Sequence, residues 1–361
     1  LISMINLIKA LSCENTSFKV GLLSSGGSEE LLEEHGINYE VIGAPRNYFY
    51  HNETGKIQGK YFLRYIRIYR EWKQTVEHIA PAFLSRQKAD IVHLNSHVLT
   101  SWAKAAHNLG FKVVMHNRET IARGYFGFRK TILKKLIRDN VDAVINISKD
   151  NKKRLGLKKN SFVVYNSVDI PSFYGRKKGA SKNNKVLYLG GQAKIKGFRT
   201  VVDCLSYLDS NIIIQFAGNY SSFNYEKTLK KRLISLIKIL LFWRTYKYHK
   251  KLHTSSKAEC IGLLKNPYPF IDKCDVLITP FTIEHFSRPA IEAMAYGKPV
   301  IGSDVEGMDE IIDHRVTGLI VKKNDPKDLG DAINYLSSNP RIAKNMGEKG
   351  RKKAEKLFSP Q

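Results

Sequence analysis

The sequence predicts an α/β protein made of two Rossmann-like domains, each a doubly wound parallel sheet, that face each other across a cleft. Three observations support this fold class. Short, continuous apolar runs alternate with helix-forming segments along the whole chain. The length of 361 residues favours two domains over one. A polar segment, residues 166–184, separates two such series.

Each apolar run ends at a polar, turn-forming residue, and its apolar character is continuous rather than alternating, which is typical of parallel strands buried on both faces. The first series is "FKVGLLSS" (18–25), "YEVIG" (39–43), "ADIVHLNS" (89–96), "FKVVMHN" (111–117), "VDAVINIS" (141–148) and "SFVVYN" (161–166). The second is "KVLYLGG" (185–191), "NIIIQFAG" (211–218), "AECIGLL" (258–264), "CDVLITPF" (274–281), "KPVIGSD" (298–304) and "GLIVKK" (318–323). Segments between them, such as "SEELLEEHG", carry helix formers with an N-terminal cap and a terminal glycine.

The segment 166–184 is rich in Ser, Gly, Asn and Lys, which predicts an interdomain linker. We therefore assign 1–168 to an N-terminal domain and 169–361 to a C-terminal domain. Doubly wound domains bind ligands at the carboxyl edges of their sheets, so we expect the ligand there.

The chain begins at Leu1 inside a helical pattern and stops at "KLFSPQ". The first strand of a doubly wound domain is normally central, and here no strand precedes this helix. We expect a fragment of a longer gene product, or a gene missing its start, with a weakened N-terminal sheet.

The composition indicates both the cellular compartment and the class of partner. No segment has the pattern of a signal peptide or a membrane span, and the four cysteines form no CxxC pair, which favours buried thiols in the cytoplasm. The formal net charge of +26 predicts a polyanionic partner: nucleic acid, an anionic membrane surface or phosphorylated small molecules.

Three basic segments with apolar centres carry much of this charge: 226–251, 60–73 and 128–139. Basic ends around a wide apolar arc are typical of a helix that lies in a lipid interface. We predict peripheral attachment to an anionic membrane surface, chiefly through 226–251. The alternative, that these are packing helices with solvated basic edges, stays open.

The stretch "EHFSRPAIEAMAYGKPVI" (284–301) points to a phosphate-bearing ligand. Pro289 favours a helix start and Gly297 a helix end, so the free N–H groups from about Phe286 onward form an anion site. Glu284 in the preceding loop and Glu292 in the helix can each accept hydrogen bonds from a diol. Two diols with a pyrophosphate between them describe a nucleotide sugar. In the alternative, Glu292 only complements the helix dipole and Glu284 is solvated.

Several motifs together resemble the retaining glycosyltransferases of family four, which have the GT-B fold. The pattern E-x7-E followed by "EAMAYGKPVIGSDVEGMDEII" and "TGLIV" is similar to the family's most specific block. "VLYLGGQAKIKGF", "IQFAG", "CIGLL", "YNSVDIPSF" and "VVMHNRET" resemble further family segments, and the resemblance extends over about residues 89 to 357.

The resemblance implies roles for individual residues. Glu292 would bind the nucleotide ribose, and Lys196 would neutralise the diphosphate. His116 and Glu284 would be the catalytic residues that act on the donor sugar. The donor-binding set is Gly190, Gly191, Lys196, Gly262, Leu263, Leu264, Phe286, Ser287, Arg288 and Glu292. Asn95, Arg118 and Glu119 would bind the acceptor or have an orienting role, and Arg118 or Glu119 could orient either the donor or the acceptor.

One departure from the family pattern concerns Gly191, where the family often has an arginine that contacts the diphosphate. Arg288 or Lys194 would compensate for it. The sequence has no Asp-x-Asp motif and no His/Cys cluster with metal spacing, so we expect a metal-independent reaction with no cofactor, since the nucleotide sugar is a substrate.

The leading hypothesis is a glycosyltransferase on the cytoplasmic face of a membrane, with a glycolipid or oligosaccharide acceptor, that builds a surface polysaccharide such as lipopolysaccharide or capsule. The alternatives are a GT-B module that binds ligand without turnover, and a nucleic-acid-binding protein. Charge alone motivates the last of these, and no recognition motif accompanies it.

Overall fold

The computed structural model describes residues 2–12, 15–45, 62–119, 128–172, 184–220 and 243–360. It divides into two compact units. Unit 1 comprises Leu1–Ser167 with Pro360–Gln361, and unit 2 comprises Val168–Ser359. Most of the predicted linker (173–183) and most of the main basic segment (226–242) lie outside the described residues.

Unit 1 alternates strands and helices, as the sequence pattern predicts. Its strands are β1 Val20–Leu22, β2 Tyr39–Val41, β3 Ile91–Leu94, β4 Lys112–Asn117, β5 Ala143–Asn146 and β6 Ser161–Val163. Its helices are α1 Ile2–Leu11, α2 Ser28–Glu34, α3 Phe62–Gln74, a π-helical turn Thr75–Ile79, α4 Ala80–Leu84, α5 Thr100–Asn108, α6 Phe128–Asn140 and α7 Lys149–Leu155.

The strands of unit 1 form two separate parallel sheets, β1-β2 and β3-β4-β5-β6. Strand β3 is therefore an edge strand, and the prediction that it is buried on both faces is wrong: Ile91 is 57% exposed. Strand β4 lies between two partners, and Val113 and Met115 are fully buried. Lateral pairing, which a local apolar pattern does not encode, decides this difference in burial.

The larger core of unit 1 packs α4, α5 and α6 on the four-stranded sheet. The rings of Phe83 and Trp102 meet edge to face with centroids 6.0 Å apart. Leu133 and Ile137 of α6 are buried in the same cluster. The basic segment 128–139 lies within helix α6, so the apolar side of that segment packs on the core of unit 1.

Unit 2 is one six-stranded parallel sheet of order β12-β11-β10-β7-β8-β9. Its strands are β7 Asn184–Tyr188, β8 Ile212–Ala217, β9 Ala258–Gly262, β10 Val276–Thr279, β11 Val300–Ser303 and β12 Gly318–Val321. Its helices are a 3₁₀ turn Lys194–Lys196, α8 Phe198–Cys204, a 3₁₀ turn Leu205–Tyr207, α9 Trp243–Thr254, α10 Tyr268–Lys273, α11 Arg288–Ala295, α12 Pro326–Ser338 and α13 Pro340–Leu357.

The strand order of unit 2 reverses at β7, which lies between β8 and β10. The chain winds from β7 to β9 in one direction and from β10 to β12 in the other. In such sheets the crevice outside the carboxyl ends of the strands at this reversal is the usual ligand site. For unit 2 that crevice lies between the turn after β7 and the loop after β10.

One local prediction for unit 2 is confirmed and another is wrong. Helix α11 has Pro289 in its first turn and is followed by Gly297 with a left-handed φ of 66°, as predicted. The acidic stretch "SDVEGMDEIID" after β11 has the pattern of a loop and a helix start, but this prediction is wrong, because 306–311 form turns and a bend rather than a helix. Met308, Ile311 and Ile312 are buried there, so apolar anchors hold the segment down without a helix.

The described end of the main basic segment is helix α9. Lys251 forms an ion pair with Asp203 at 3.0 Å, and the Tyr248 hydroxyl donates to the same carboxylate at 3.0 Å. Leu252 is buried in the core of unit 2. This part of the segment therefore packs against α8.

Candidate active site

The turn after β7 brings backbone close to the carboxyl edge of the unit 2 sheet. Gly191 has φ 57°, and a Cβ on Gly190 would lie 2.1 Å from the Tyr188 ring. A Cβ on Gly197 would lie 1.9 Å from the Pro280 carbonyl oxygen. Glycine is required at 190 and 197 because any side chain would push the turn away from its neighbours.

Backbone hydrogen bonds join the loops along this edge. The Gly191 N–H donates to the Ala217 carbonyl at 3.2 Å, which ties the turn after β7 to the end of β8. The Gly218 N–H donates to the Gly262 carbonyl at 2.7 Å, which ties the residue after β8 to the end of β9. These contacts hold Gly190, Gly191 and Gly262 in one continuous rim. Leu263 follows Gly262 and is 82% exposed, and Leu264 is half-buried.

Lys196 lies beside the loop that carries Glu284. The Thr282 N–H donates to the Ile195 carbonyl at 2.9 Å, so this loop is bonded to the short helical turn that ends in Lys196. Burial and the Lys196 charge lower the pKa of His285 to about 4. The neutral His285 ring stacks on Phe281 with centroids 4.1 Å apart. A cation, Lys196, and a half-buried carboxylate, Glu284, thus belong to adjoining segments.

The start of α11 lies at the same edge, directly after that loop. Ser287 is the N-cap residue, and its buried hydroxyl is 2.9 Å from the Thr279 hydroxyl at the end of β10. The first N–H groups of a helix have no acceptor inside the helix and point along its axis. Phe286, Ser287 and Arg288 therefore surround a helix start that favours an anion.

Glu292 is buried one turn into α11, with 7% of its surface exposed. Its carboxylate forms an ion pair with Arg288 at 2.9 Å. Burial raises the pKa of Glu292, the Arg288 charge opposes that rise, and Asp169 adds to it. The Nε and Nη2 atoms of Arg288 are both buried, and neither has a hydrogen-bond partner among the described residues, although Nε is the atom in the ion pair. The ion pair therefore balances the charge of Glu292 but leaves buried donors on Arg288.

A second polar cluster lies at the carboxyl edge of the unit 1 sheet, around Arg118. Its guanidinium donates to Asn95 at 2.7 Å and to Asn166 at 2.5 Å, and its Nη2 is 3.2 Å from His116 Nδ1. His116 is 3% exposed, and burial, with the Arg118 charge, lowers its pKa to about 2. Arginine only donates, so Nδ1 accepts and the neutral ring carries its proton on Nε2.

Glu119 belongs to a neighbouring group rather than to a pair with Arg118. Its carboxylate accepts from the Ser96 hydroxyl at 2.8 Å and lies 3.4 Å from His97 Nδ1. Burial alone would raise the pKa of Glu119, but His97, Ser96 and the Arg118 charge lower it. Glu119 is consequently an anion at neutral pH, next to the Arg118 cluster.

The structure thus groups the predicted residues by unit. In unit 2 the glycine turn, Lys196, the Glu284 loop and the start of α11 share one sheet edge, and in unit 1 Asn95, His116, Arg118 and Glu119 share another. Sequence reasoning missed His285, Asn166 and the Ser96–His97 pair. Asn166 belongs to "YNSVDIPSF", so its motif was recognised although its contact with Arg118 was not.

A family model described as "Glycosyl transferases group 1" matches residues 172–353, half of the chain. This chain belongs to that family. The matched region begins just after the start of unit 2 and includes its whole sheet edge, from the Gly190–Gly191 turn to α11. The segments that carry the predicted site residues of unit 2 therefore lie within the part of the chain that matches the family model.

Two curated relatives cover only parts of the chain. An uncharacterised glycosyltransferase of Methanocaldococcus jannaschii is 28% identical over 220 residues, which are 60% of this chain and 56% of that protein. A capsular polysaccharide biosynthesis glycosyltransferase of Staphylococcus aureus is 33% identical over 98 residues, 27% of this chain and 26% of that protein. The chain thus matches about half of the first relative's length and about a quarter of the second's.

Among solved structures, the crystal structure of Anabaena HepE in complex with UDP and glucose is similar over 99% of this chain and 92% of that one. The TM-score is 0.75 at 18% identity. At this identity the likeness shows the fold, which is that of the GT-B glycosyltransferases: α/β, with parallel sheets and helices. The fold class predicted from the sequence is confirmed.

Among the described residues, no helix is both long and apolar enough to cross a membrane. Likewise, no group of three or more His, Cys, Asp or Glu side chains in that part of the chain is arranged to hold a metal ion.

Proposed function

We propose that this chain is a glycosyltransferase that moves a sugar from a nucleotide-diphosphate donor to an acceptor, with retention of anomeric configuration. One observation carries the proposal. The backbone hydrogen bond between Thr282 and Ile195 joins the turn that ends in Lys196 to the loop of Glu284, which directly precedes the start of α11. A cation, a helix start and two carboxylates at one sheet edge suit a sugar diphosphate. Family membership and the UDP and glucose in the HepE complex support the same ligand class.

In this proposal unit 2 binds the donor. Lys196 and the first N–H groups of α11 stabilise the negative charge that develops on the leaving diphosphate. Electrostatic stabilisation of this kind is usually the largest single contribution to lowering the activation barrier. Glu292 accepts from the ribose hydroxyls, and Glu284 accepts from hydroxyls of the transferred sugar. The backbone around Gly190 and Gly191 approaches the diphosphate closely, and Gly262 to Leu264 flank the base.

Arg288 takes the place of the family's arginine at position 191. Its Nε side faces Glu292, and its buried Nη2 remains available to a phosphate oxygen or to a hydroxyl. Lys194 is exposed and is the second candidate for the same role. This assignment explains how a chain with Gly191 retains a charge-assisted contact near the diphosphate.

In unit 1, His116 acts as a neutral ring. Arg118 fixes Nδ1 as an acceptor, so His116 presents Nε2–H as a donor and does not supply a positive charge. Such a donor suits a sugar hydroxyl. Asn95 and Glu119 orient the acceptor together with Arg118. These roles rest on the family resemblance and on the contacts inside unit 1.

Retention, metal independence and a glycolipid or oligosaccharide acceptor at a membrane surface belong to the same proposal. Capsular polysaccharide biosynthesis in the Staphylococcus aureus relative's name supports a role in surface glycans. The membrane contact would use 226–251, most of which lies outside the described residues.

The deciding experiment is a thermal-shift screen of nucleoside diphosphates and their sugars, followed by a transfer or hydrolysis assay with each ligand that stabilises the protein. Stabilisation with turnover supports the proposal, and the anomer of the product tests retention. Stabilisation without turnover indicates a non-catalytic binding module. No stabilisation by any nucleoside diphosphate would contradict the donor site.

A further inference from the structure

Unit 1 contains a cavity of about 480 Å³ that the proposed function does not use. It lies at the amino edge of the four-stranded sheet, where Asp142 precedes β5 and Asn160 precedes β6. Helix α6 and the connection from α7 to β6 form its sides. His116 and Arg118 lie at the carboxyl edge of the same sheet, so the cavity is at the opposite end.

The cavity has an apolar floor and a basic rim. Ile137 and Val144 are buried and form part of the floor. Four basic side chains and a single acidic one line the rim: Lys134, Arg138, Lys158, Lys159 and Asp142. The volume of this open pocket falls within the range of small-molecule sites, roughly 300–1,000 Å³.

Three of the rim cations are uncompensated. In the described part of the chain, no hydrogen bond or ion pair involves the side chains of Lys134, Lys158 or Lys159. Lys134 is half-buried, and its ammonium lies 3.0 Å from the place that a Cβ on Gly156 would occupy. Glycine at 156, with φ 64°, leaves room for this ammonium beside the turn.

The one carboxylate of the rim is already engaged. Asp142 accepts the Val113 N–H at 2.8 Å and lies 3.4 Å from the Lys112 ammonium. These contacts, the Val113 hydrogen bond first, lower the pKa of Asp142. It therefore does not neutralise the lysines across the cavity, and the rim keeps an excess of positive charge.

We propose that this cavity binds the phosphate group of a small ligand whose uncharged part lies on the apolar floor. Phosphate fits because it carries more than one negative charge and offers several acceptor oxygens to lysines that arrive from two sides. The group can belong to a soluble phosphate ester or to a phospholipid headgroup. This inference does not depend on the donor site in unit 2.

The test is hydrogen–deuterium exchange of the full chain, measured on the peptide 154–163, with three probes. These are inorganic pyrophosphate, phosphatidylglycerol vesicles and phosphatidylcholine vesicles. We expect slower exchange around Gly156–Asn160 with pyrophosphate or with phosphatidylglycerol, and no change with phosphatidylcholine. Because exchange is localised, pyrophosphate bound near Lys196 does not confuse the result.

Two double variants sharpen the test. Lys158→Glu with Lys159→Glu should weaken binding of the protective ligand roughly tenfold or more, because two cations of the rim become anions that repel a phosphate group. Lys135→Glu with Lys153→Glu makes the same charge change at exposed positions of α6 and α7 that do not line the cavity, and should change the affinity less than about twofold. Unchanged exchange of 112–117 verifies that both variants fold.

Protection by pyrophosphate alone identifies a soluble phosphate ligand, and protection by phosphatidylglycerol alone identifies a headgroup. Both results support the cavity as a phosphate site. If neither pyrophosphate nor phosphatidylglycerol protects the peptide, the proposal is overturned. An equal loss of affinity in the two double variants also overturns it.

Discussion

The two sheet edges that carry the predicted site residues are built differently. In unit 2 the edge consists mainly of backbone: a glycine turn, a chain of backbone hydrogen bonds and a helix start. In unit 1 it consists of side chains that hold one another, with Arg118 at the centre. A backbone site needs glycine and proline at fixed positions and so leaves a strong sequence motif. A side-chain network depends on partners far apart in the chain.

The two units also differ in how their strands are joined into sheets. Unit 2 has six strands in one sheet that reverses order at the site, whereas unit 1 has a pair and a separate group of four. The family model matches within unit 2. Candidate site residues are therefore easier to recognise in a sequence where backbone conformation shapes the site. Variants can test separately the charges beside the unit 2 backbone and the side-chain network of unit 1.

The largest effect is expected for Lys196→Ala. Loss of a cation that stabilises charge on the leaving group should lower kcat about 10²- to 10³-fold. Steady-state transfer kinetics with the donor found by thermal shift measure this. Lys273→Ala, which removes an exposed lysine of α10, is the matched control and should leave kcat unchanged. A normal kcat in the Lys196→Ala variant would contradict the proposed contact between this lysine and the diphosphate.

Arg288→Ala comes next. It removes a charge-assisted contact worth about 1.5–3 kcal/mol and leaves Glu292 buried without its ion-pair partner. We expect a donor KM that is about tenfold to a hundredfold higher, or an equivalent fall in kcat, and a further rise in the pKa of Glu292. Arg288→Lys should recover part of the loss. Unchanged kinetics in Arg288→Ala would discard its role as a substitute for the missing arginine.

The network in unit 1 predicts a pH effect on stability through His116. Its pKa is about 2 in the folded protein and about 6.5 when unfolded, so only the unfolded chain takes up the proton as pH falls from 7 to 5. Stability should fall over this range, and His116 should account for about 2 kcal/mol of the loss. Urea unfolding at both pH values should show a smaller loss for His116→Gln.

The control for this measurement is His107→Gln, which removes an exposed histidine of α5. It should lose as much stability as the parent chain between pH 7 and pH 5. A His116→Gln variant that behaves like this control would mean that His116 is not held neutral by its surroundings.

The smallest effect is expected for Gly191→Arg, which restores the family's arginine. No atom lies within 4 Å of the Cβ position, but φ is 57°, so the substitution should cost about 1–2 kcal/mol of stability. Donor KM should fall severalfold as the new guanidinium reaches the diphosphate. Gly191→Ala carries a similar strain without the charge. Equal KM values for these two variants would show that an arginine here does not contact the donor.

The sequence by itself determined the local elements. Apolar runs and their stop residues placed β1 to β12, and Pro289 with Gly297 marked α11, because strand burial and helix ends depend on neighbours in the chain. The resemblance to a glycosyltransferase family followed from the same local motifs. These features needed no knowledge of which strands pair.

Only the tertiary structure decided the contacts between distant segments. Asn95 and Asn166 are 23 and 48 residues away from Arg118, and no periodicity encodes their meeting. The division of the unit 1 sheet, the proximity of Lys196 to His285 and the basic cavity at the amino edge of β5 and β6 arise in the same way. Strand pairing and packing bring such groups together, and their burial and pKa values follow from that assembly.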